Sequence, residues 1–246
     1  MHLLNNVIVL LILSAGAFAS VRLKKLTLPA GITGGVLGWL VFAGGGYTGL
    51  GMLATFFILG TAATGWGRDR KIALLNDGEK GASAQATRTT GQVFANGGVA
   101  ALTGLGILIF PAYHLRFEVA MAGSLASATA DTLSSELGVV YGRRFYNILT
   151  WRPDQRGRDG VVSIEGTIIG VAGSTVIAAL YAAGHEWSST VVGIIILAGT
   201  IGNLVDSVLG AALERKGYIG NDMVNFLNTM MAGLLAGGLA YITGNL

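Results

Sequence analysis

Long apolar segments separated by polar loops are the feature that most constrains how this chain can fold. A helix needs about 20 apolar residues to cross the hydrocarbon core of a bilayer, which is roughly 30 Å thick. Only 12% of the 246 residues are charged, about half the share that is usual in a soluble domain. The sequence therefore predicts an all-α, multi-pass integral membrane protein with a single transmembrane domain, residues 1–246. The eight predicted spans are residues 3–21, 29–44, 47–66, 93–113, 119–141, 162–184, 190–213 and 223–243.

Lysine and arginine residues are distributed very unevenly among the loops between these spans. Fifteen of the 16 lie in the loops that follow spans one, three, five and seven, and only Arg116 lies on the other side. Because cytoplasmic loops carry the excess of positive charge, we expect these four loops in the cytoplasm and both termini on the opposite side. The first span has no basic segment before it, so we expect it to be retained as a helix. The net charge of only +3 gives no support to a nucleic-acid partner.

Polar stretches lie within or beside four spans, at the end that the basic loops define. A carboxylate at membrane depth costs about 2.5–3.5 kcal/mol in insertion assays. Asp131, Glu136, Glu165 and Asp206 therefore need partners or a function, and Asn96 at the start of span four lies at the same end. We expect a buried polar site that opens to the cytoplasm. The stretches are residues 123–138, 162–167, 199–210 and 221–229.

Helical spacing places the polar residues of each span on one face, and two interpretations of these faces remain open. Small residues on a face suit close helix packing, whereas hydroxyl groups that lead to a carboxylate suit a metal or ligand site. Asp222 and Glu165 also have a second explanation, because acidic residues in the first turn stabilise a helix. The faces are Ser124, Ser127, Asp131, Ser134, Ser135 and Gly138 in span five, Gly199, Gly202, Asn203, Asp206 and Gly210 in span seven, and Asp222, Asn225 and Asn228 in span eight.

Several familiar kinds of site are excluded by the sequence. The chain has no cysteine, and all three histidines fall on the side opposite the polar stretches. There is no Walker-type glycine loop, Gly-x-Ser-x-Gly turn or His-Glu-x-x-His motif. Arginines are frequent in the basic loops, where lysine would serve orientation equally well, and arginine binds phosphate in a bidentate manner. Carboxylates and arginines together indicate chemistry on phosphate groups.

Five segments carry most of the polar residues named above: RTTGQVFANGG (88–98), ADTLSSELG (130–138), GVVSIEGT (160–167), GNLVDSVLGA (202–211) and NDMVNFLNT (221–229). Together these segments resemble the transmembrane protein 19 / domain-of-unknown-function 92 family, which includes the plant phytyl-phosphate kinase of tocopherol synthesis. Two of them are also similar to the wider group of CTP-dependent polyprenol kinases, with Ala130 in place of a glycine and Val162 in place of a lysine. An arginine of the neighbouring loops would then replace that lysine.

This resemblance implies a membrane-embedded kinase that transfers a phosphoryl group from a nucleoside triphosphate, CTP or ATP, to a prenyl monophosphate. The isoprenoid tail would lie between helices in the bilayer. On this hypothesis Asp131, Glu165 and Asp206 are the catalytic residues and hold Mg²⁺. The residues expected to bind nucleotide or phosphate are Arg88, Asn96, Ser135, Glu136, Arg143, Thr167, Asn203, Asp222, Asn225 and Asn228.

Two other functions remain open from the sequence. A transporter also carries polar residues at membrane depth, although the uniformly apolar outer halves of these spans favour a site that opens to one side only. A cytidylyltransferase would use the same two substrates and form a CDP-lipid. Glycine spacings such as Gly34–Gly38 suit close packing within one protomer or between protomers, so a homo-oligomer is also left open.

Overall fold

The chain is an α-helical membrane protein, and its computed structural model describes residues 2–75 and 87–244. Two short strands pair between the fifth and sixth helices, and single 3₁₀ turns precede the fifth helix and follow the seventh. The helices are α1 (His2–Arg22), α2 (Leu28–Gly65), α3 (Arg68–Leu74), α4 (Thr90–Ile109), α5 (His114–Tyr141), α6 (Ile164–Gly184), α7 (Ser189–Ala212) and α8 (Asn221–Ile242), and the strands are β1 (Tyr146–Asn147) and β2 (Val161–Val162).

The second helix, α2, reverses direction in its middle. Gly46 has φ 58° and ψ −153°, a conformation that glycine adopts readily and other residues do not. Thr27, just before the first half, is hydrogen-bonded through its backbone N–H to the carbonyl of Arg88, while Gly60 in the second half also lies against Arg88. Both ends of α2 therefore lie at the same end of the molecule. The two halves correspond to predicted spans two and three.

Six helices of the described residues are long and apolar enough to cross a membrane: α1, α2, α4, α6, α7 and α8. The remaining long helix, α5, is more polar, but it lies in the middle of the molecule and packs against α2, α4, α6, α7 and α8. All of residues 119–130 are buried. A polar helix is tolerated at membrane depth when it faces the interior of a bundle. The count of eight spans stays a prediction.

Glycine and hydroxyl residues bring the helices around α5 into close contact. A side chain at Gly44 would overlap the backbone of Gly104, so α2 and α4 approach each other there. Gly202 of α7 similarly packs on the Ser127 hydroxyl of α5. Close approach through small residues is the usual way in which helices associate in lipid. The packing interpretation of these glycines is therefore consistent with the structure.

The two ends of the bundle differ in chemistry. At one end, hereafter the polar end, the chain connects α1 to α2, α5 to α6 and α7 to α8, and Arg88 precedes α4. The opposite end contains a pair between His185 and Glu118, 3.0 Å apart, and Arg116 lies over the rings of Tyr113 and Tyr241. The predicted site residues of spans four to eight lie in the half of each helix that is nearer the polar end, or just beyond it.

Candidate functional site

Asp131 of α5 and Asp206 of α7 meet near the polar end. Their carboxyl groups lie within hydrogen-bonding distance of each other. Asn228 of α8 donates a hydrogen bond of 2.5 Å from Nδ2 to Asp206 Oδ2, and its own Oδ1 accepts one of 3.1 Å from Ser127. This chain of contacts fixes Asp206 in one orientation. Two carboxylates at such close range share either a proton or a cation.

A cavity of about 180 Å³ adjoins this pair, and we call it the acidic cavity. Asp159 and Glu214 line this cavity together with Asp131 and Asp206. Arg158 is the one positively charged residue among the described residues that line it. Asp159 and Glu214 are close enough to interact electrostatically with each other. The charge around the cavity is therefore strongly negative, which suits a bound cation.

The segment between α5 and α6 forms one side of the acidic cavity and is itself folded. Asp154 accepts a hydrogen bond of 2.8 Å from Arg215, which also donates to the carbonyl of Asp159. The Arg215 guanidinium, together with the backbone N–H of Gln155 and the amide of Asn147, lowers the pKa of Asp154 to about 2. This stabilisation is fully present above the ordinary aspartate pKa of about 4 and is lost as the pH falls towards 2. Asp154 is thus an anchor for the segment.

Replacing Asp154 with alanine is expected to loosen residues 145–162 at neutral pH. A hydrogen bond between charged groups contributes about 1.5–3 kcal/mol, so the backbone amides of this segment should exchange about tenfold faster or more. Hydrogen exchange followed by mass spectrometry measures this directly. Glu186→Ala, at an exposed carboxylate of the opposite end, is the control and should leave the segment unchanged. Unaltered exchange in Asp154→Ala would show that the Arg215 contact does not anchor it.

A second cavity of about 230 Å³ lies on the other side of Asp131, and we call it the basic cavity. Lys25, Arg68 and Arg88 line it. Its lining carboxylates are Asp131 and Glu136, and Glu136 is paired at 2.5 Å with the buried amine of Lys71. With Glu136 already neutralised, the basic cavity has an excess of positive charge. It suits an anion.

Arg88 is the most distinctive group of the basic cavity. Its guanidinium lies 5.4 Å from the ring centroid of Phe56 and 5.8 Å from that of Phe57. Within residues 2–75 and 87–244 no carboxylate forms an ion pair with it. Burial lowers the pKa of Arg88, and the carboxylate of Glu136 partly offsets this effect. A half-buried guanidinium without an ion-pair partner in the described chain is ready to bind an anion.

Amide side chains complete the basic cavity. Asn225 donates to the carbonyl and to Oδ1 of Asn221, and Asn96 donates to the carbonyl of Gln92. Asn96 Oδ1 is buried and has no hydrogen-bond partner among the described residues. Since an unpaired buried acceptor is unfavourable, Asn96 is suited to receive a hydrogen bond from a ligand.

The two cavities share three residues: Asp131, Ser135 and Asn221. An anion in the basic cavity and a cation in the acidic cavity would therefore be separated only by this wall. The predicted site residues that line one or both cavities are Arg88, Asn96, Asp131, Ser135, Glu136, Asn203, Asp206 and Asn225.

Two residues expected to contact ligand lie elsewhere. Glu165 is not brought to the Asp131–Asp206 pair; it accepts a hydrogen bond of 3.3 Å from the backbone N–H of Arg143 instead, and the described chain contains no cluster of three acidic or histidine ligands. Asp131, Glu165 and Asp206 therefore do not form one three-residue cluster among the described residues, and the expected binding of Mg²⁺ stays a prediction. The Arg143 side chain is exposed and lines neither cavity.

Three other predicted ligands also lie outside both cavities. Thr167 donates to the carbonyl of Ser163, the residue just before its own helix, and Asp222 is exposed in the first turn of α8. Asn228 is fully buried behind Asp206. Its role is thus to hold Asp206, and the prediction that it contacts phosphate or base is not supported by its position.

Asp159, Glu214 and Asn221 line the acidic cavity and were not predicted as site residues. Each lies in or beside a loop, where a charged or amide side chain usually faces solvent. Lys25 and Arg68 of the basic cavity were used only to predict which loops lie in the cytoplasm. The sequence signal that could have identified Asp159 is its position in a Gly-Arg-Asp-Gly turn that leads into the segment at 160–167.

Comparison with known proteins places the chain in a family. The model of the family "Integral membrane protein DUF92" matches residues 11–233, and the chain belongs to this family. It is 34% identical to an uncharacterized membrane protein of Methanocaldococcus jannaschii, over 85% of this chain and 82% of that one. It is also 29% identical to the chloroplastic protein VTE6 of Arabidopsis thaliana, over 82% of this chain and 61% of that one, and 27% identical to the protein PGR of the same plant, over 82% and 76%. No solved structure matches the chain.

Proposed function

We propose that this member of the DUF92 family is a prenyl-phosphate kinase that transfers the terminal phosphoryl group of a nucleoside triphosphate to an isoprenoid monophosphate. The proposal rests on the wall that the acidic cavity and the basic cavity share at the polar end of the bundle. Such an arrangement brings a metal-bound nucleotide next to a second anion. The resemblance to a family that includes a plant phytyl-phosphate kinase supports an isoprenoid monophosphate as the substrate. The distribution of basic loops supports a site that faces the cytoplasm.

The acidic cavity is proposed as the site of the nucleotide phosphates and Mg²⁺. Mg²⁺ prefers oxygen ligands and is commonly held by one or two carboxylates together with substrate phosphates and water. Asp131 and Asp206 fit this requirement, with Asp159 and Glu214 adding negative charge nearby. When bound, the ion would neutralise the phosphate charge that develops during transfer. Because about 180 Å³ is less than a typical ligand pocket, we assign only the phosphates and the ion to this cavity.

The basic cavity is proposed as the site of the acceptor phosphate. A phosphate monoester carries close to two negative charges at pH 7, so its oxygen attacks the terminal phosphorus without a general base. The bond between that phosphorus and the bridging oxygen breaks, and the nucleoside diphosphate leaves as the diphosphate lipid forms. Lys25, Arg68 and Arg88 reduce the repulsion between the two anions, and Asn96 Oδ1 accepts a hydrogen bond from a donor on the ligands or their water.

Arg158 is proposed as the cation that takes the place of the lysine absent at Val162, because both residues line the acidic cavity. Arg158→Ala is expected to raise the KM for the nucleotide about tenfold, the loss of one charge-assisted contact to phosphate. Val162→Lys in the same background should restore much of the affinity by returning a cation to that cavity. Steady-state kinetics with a varied nucleotide concentration measures both effects.

Arg144→Ala is the matched control, since Arg144 is an exposed arginine of the same loop and lines neither cavity. It should leave the KM for the nucleotide unchanged. An unchanged KM in Arg158→Ala would remove Arg158 from the nucleotide site, and failure of Val162→Lys to compensate would show that the two positions are not equivalent.

The direct test uses the purified protein in detergent with a prenyl monophosphate, Mg²⁺ and labelled CTP or ATP. A diphosphate lipid together with a nucleoside diphosphate supports the kinase. Pyrophosphate together with a CDP-lipid would replace it by a cytidylyltransferase. Absence of turnover with every prenyl monophosphate and both nucleotides would contradict an enzymatic role and would favour a transporter.

A further inference from the structure

An apolar groove of about 250 Å³ runs between α1, the two halves of α2 and α4. Leu13, Gly16, Gly35, Leu53 and Val93 are typical of the residues that line it. The polar members of its described lining are Ser20, Arg88 and Gln92, and all three lie at the polar end. The groove is thus apolar along its length and polar at one mouth.

The polar mouth of this groove is continuous with the basic cavity. Arg88 and Gln92 belong to the lining of both spaces. Arg88 stands at the boundary, with its guanidinium near the rings of Phe56 and Phe57 and without an ion-pair partner in residues 2–75 and 87–244. A ligand that fits both spaces must have an anionic head and a long apolar tail.

We propose that this groove holds the isoprenoid tail of the lipid substrate while its phosphate lies against Arg88. The inference rests on the proposed function and adds the place of the tail. The lipid would enter sideways from the bilayer between α1 and α2, where a second apolar space shares Leu13, Ala17, Gly31 and Gly35 with the groove. The tail then directs the phosphate towards the wall at Asp131.

The groove is expected to position the tail and to add little affinity. A tail that leaves the bilayer for the groove exchanges one apolar environment for another, so its transfer yields little hydrophobic gain. Correct placement of the phosphate, in contrast, affects the rate strongly, because small displacements of reacting atoms are costly. Obstruction of the groove should therefore reduce turnover of long-tailed substrates more than that of short-tailed ones.

Gly16 and Gly35 provide the test, because both line the groove and a β-carbon added at either position would meet no atom within 4 Å, which leaves room there for a larger side chain. Gly16→Leu and Gly35→Leu are expected to lower kcat/KM for geranylgeranyl monophosphate about tenfold or more, while that for dimethylallyl monophosphate changes less than about twofold. Gly193→Leu and Gly238→Leu are matched controls. Both are exposed helical glycines with equally open surroundings that line none of these spaces.

Photolabelling supplies a second measurement that does not depend on turnover. A prenyl monophosphate with a photoreactive group near the end of its tail should label peptides of α1, α2 or α4, and Gly35→Leu should reduce that labelling. Labelling confined to other helices, or an unchanged preference for tail length in both leucine variants, would overturn the groove while the kinase stands. A wild-type protein inactive on every prenyl monophosphate would refute the proposed function, and photolabelling alone would then decide the groove.

Discussion

Asp206→Asn is expected to reduce phosphoryl transfer about 10³-fold or more while leaving the protein folded, and Asp131→Asn should do the same. Asparagine has nearly the shape of aspartate, so the contact of residue 206 with Asn228 survives through the amide oxygen. The neutral side chain nevertheless removes one of the two carboxylates that meet at this site, and loss of metal-bound charge stabilisation costs several kcal/mol of the barrier. The assay with labelled nucleotide measures the rate.

Stability provides a second signature for the same variants. Among the described residues, the charged groups that interact electrostatically with the Asp131 carboxyl are Asp206, Glu214 and Glu136, all acidic. At a pH at which the pair has lost its shared proton, neutralising one member therefore relieves repulsion when no metal is bound. Without Mg²⁺, each variant should melt about 2–4 °C higher than the wild type for every 1 kcal/mol of relief. Added Mg²⁺ should raise the melting temperature of the wild type and have much less effect on the variants.

Asp222→Asn is the matched control for these two substitutions. Asp222 is exposed in the first turn of α8 and lines neither cavity, so turnover should remain near that of the wild type. A near-normal rate in Asp131→Asn or Asp206→Asn would show that the residue in question is not a metal ligand. A loss of folded protein in both would instead indicate that the pair is structural.

The helical architecture could be predicted from the sequence because the bilayer imposes so strong a constraint. Apolar length alone identifies α1, α4, α6, α7 and α8, and a lipid-exposed polar face would be too unfavourable to occur. The reversal at Gly46 was also predictable, since a continuous 38-residue helix would be about 57 Å long. The central position of α5 could not be predicted, because the hydropathy of a helix does not show whether the other helices surround it.

The meeting of Asp131 and Asp206 could be predicted, whereas the contact of Glu165 with Arg143 could not. Successive residues of a helix are separated by about 100°, so a shift of one residue turns a side chain to another face. In α6, Gly166 and Gly170 pack on α5, while Glu165 accepts a hydrogen bond from the backbone N–H of Arg143, just beyond the end of α5. The sequence shows that Glu165 begins the helix but not how the helix is rotated, and rotation is decided by packing.

The contribution of loop residues to the site could not be predicted from the sequence. Asp159 reaches the acidic cavity because Arg215 binds its carbonyl and holds the segment against the end of α7. Gly160 permits this approach, since it has φ 71° and a side chain there would overlap Ala211. Contacts between residues so far apart in the chain have no local signal. A charged loop residue is therefore easily mistaken for one that merely faces solvent.

Arg88→Ala is expected to lower kcat/KM for the lipid substrate about 10²-fold, with most of the effect in the KM for the prenyl phosphate. The guanidinium is the one cation shared by the basic cavity and the apolar groove among the residues described. A bidentate contact between arginine and phosphate is stronger than a single contact and also fixes the orientation of the phosphate. Arg88→Lys should recover only part of the loss, about tenfold, because lysine offers a point charge without the planar fork.

Arg116→Ala is the control for the removal of an arginine packed on aromatic rings. Arg116 lies over Tyr113 and Tyr241 at the opposite end of the bundle, so it reproduces the chemistry of Arg88 away from the site. Its replacement should leave the kinetics of the lipid substrate unchanged. A near-normal KM in Arg88→Ala would mean that Lys25 and Arg68 suffice to bind the phosphate.

Gly60→Ala tests whether the position of the Arg88 guanidinium matters independently of its charge. A β-carbon at Gly60 would lie 2.5 Å from Nη2 of Arg88, so the guanidinium must move aside while the positive charge stays. Alanine is also the better helix former, by about 1 kcal/mol, so reduced turnover could not be attributed to a weaker helix. A loss comparable to that of Arg88→Lys would show that the orientation of the guanidinium matters. An unchanged rate would show that Arg88 acts through its charge alone, from a range of positions.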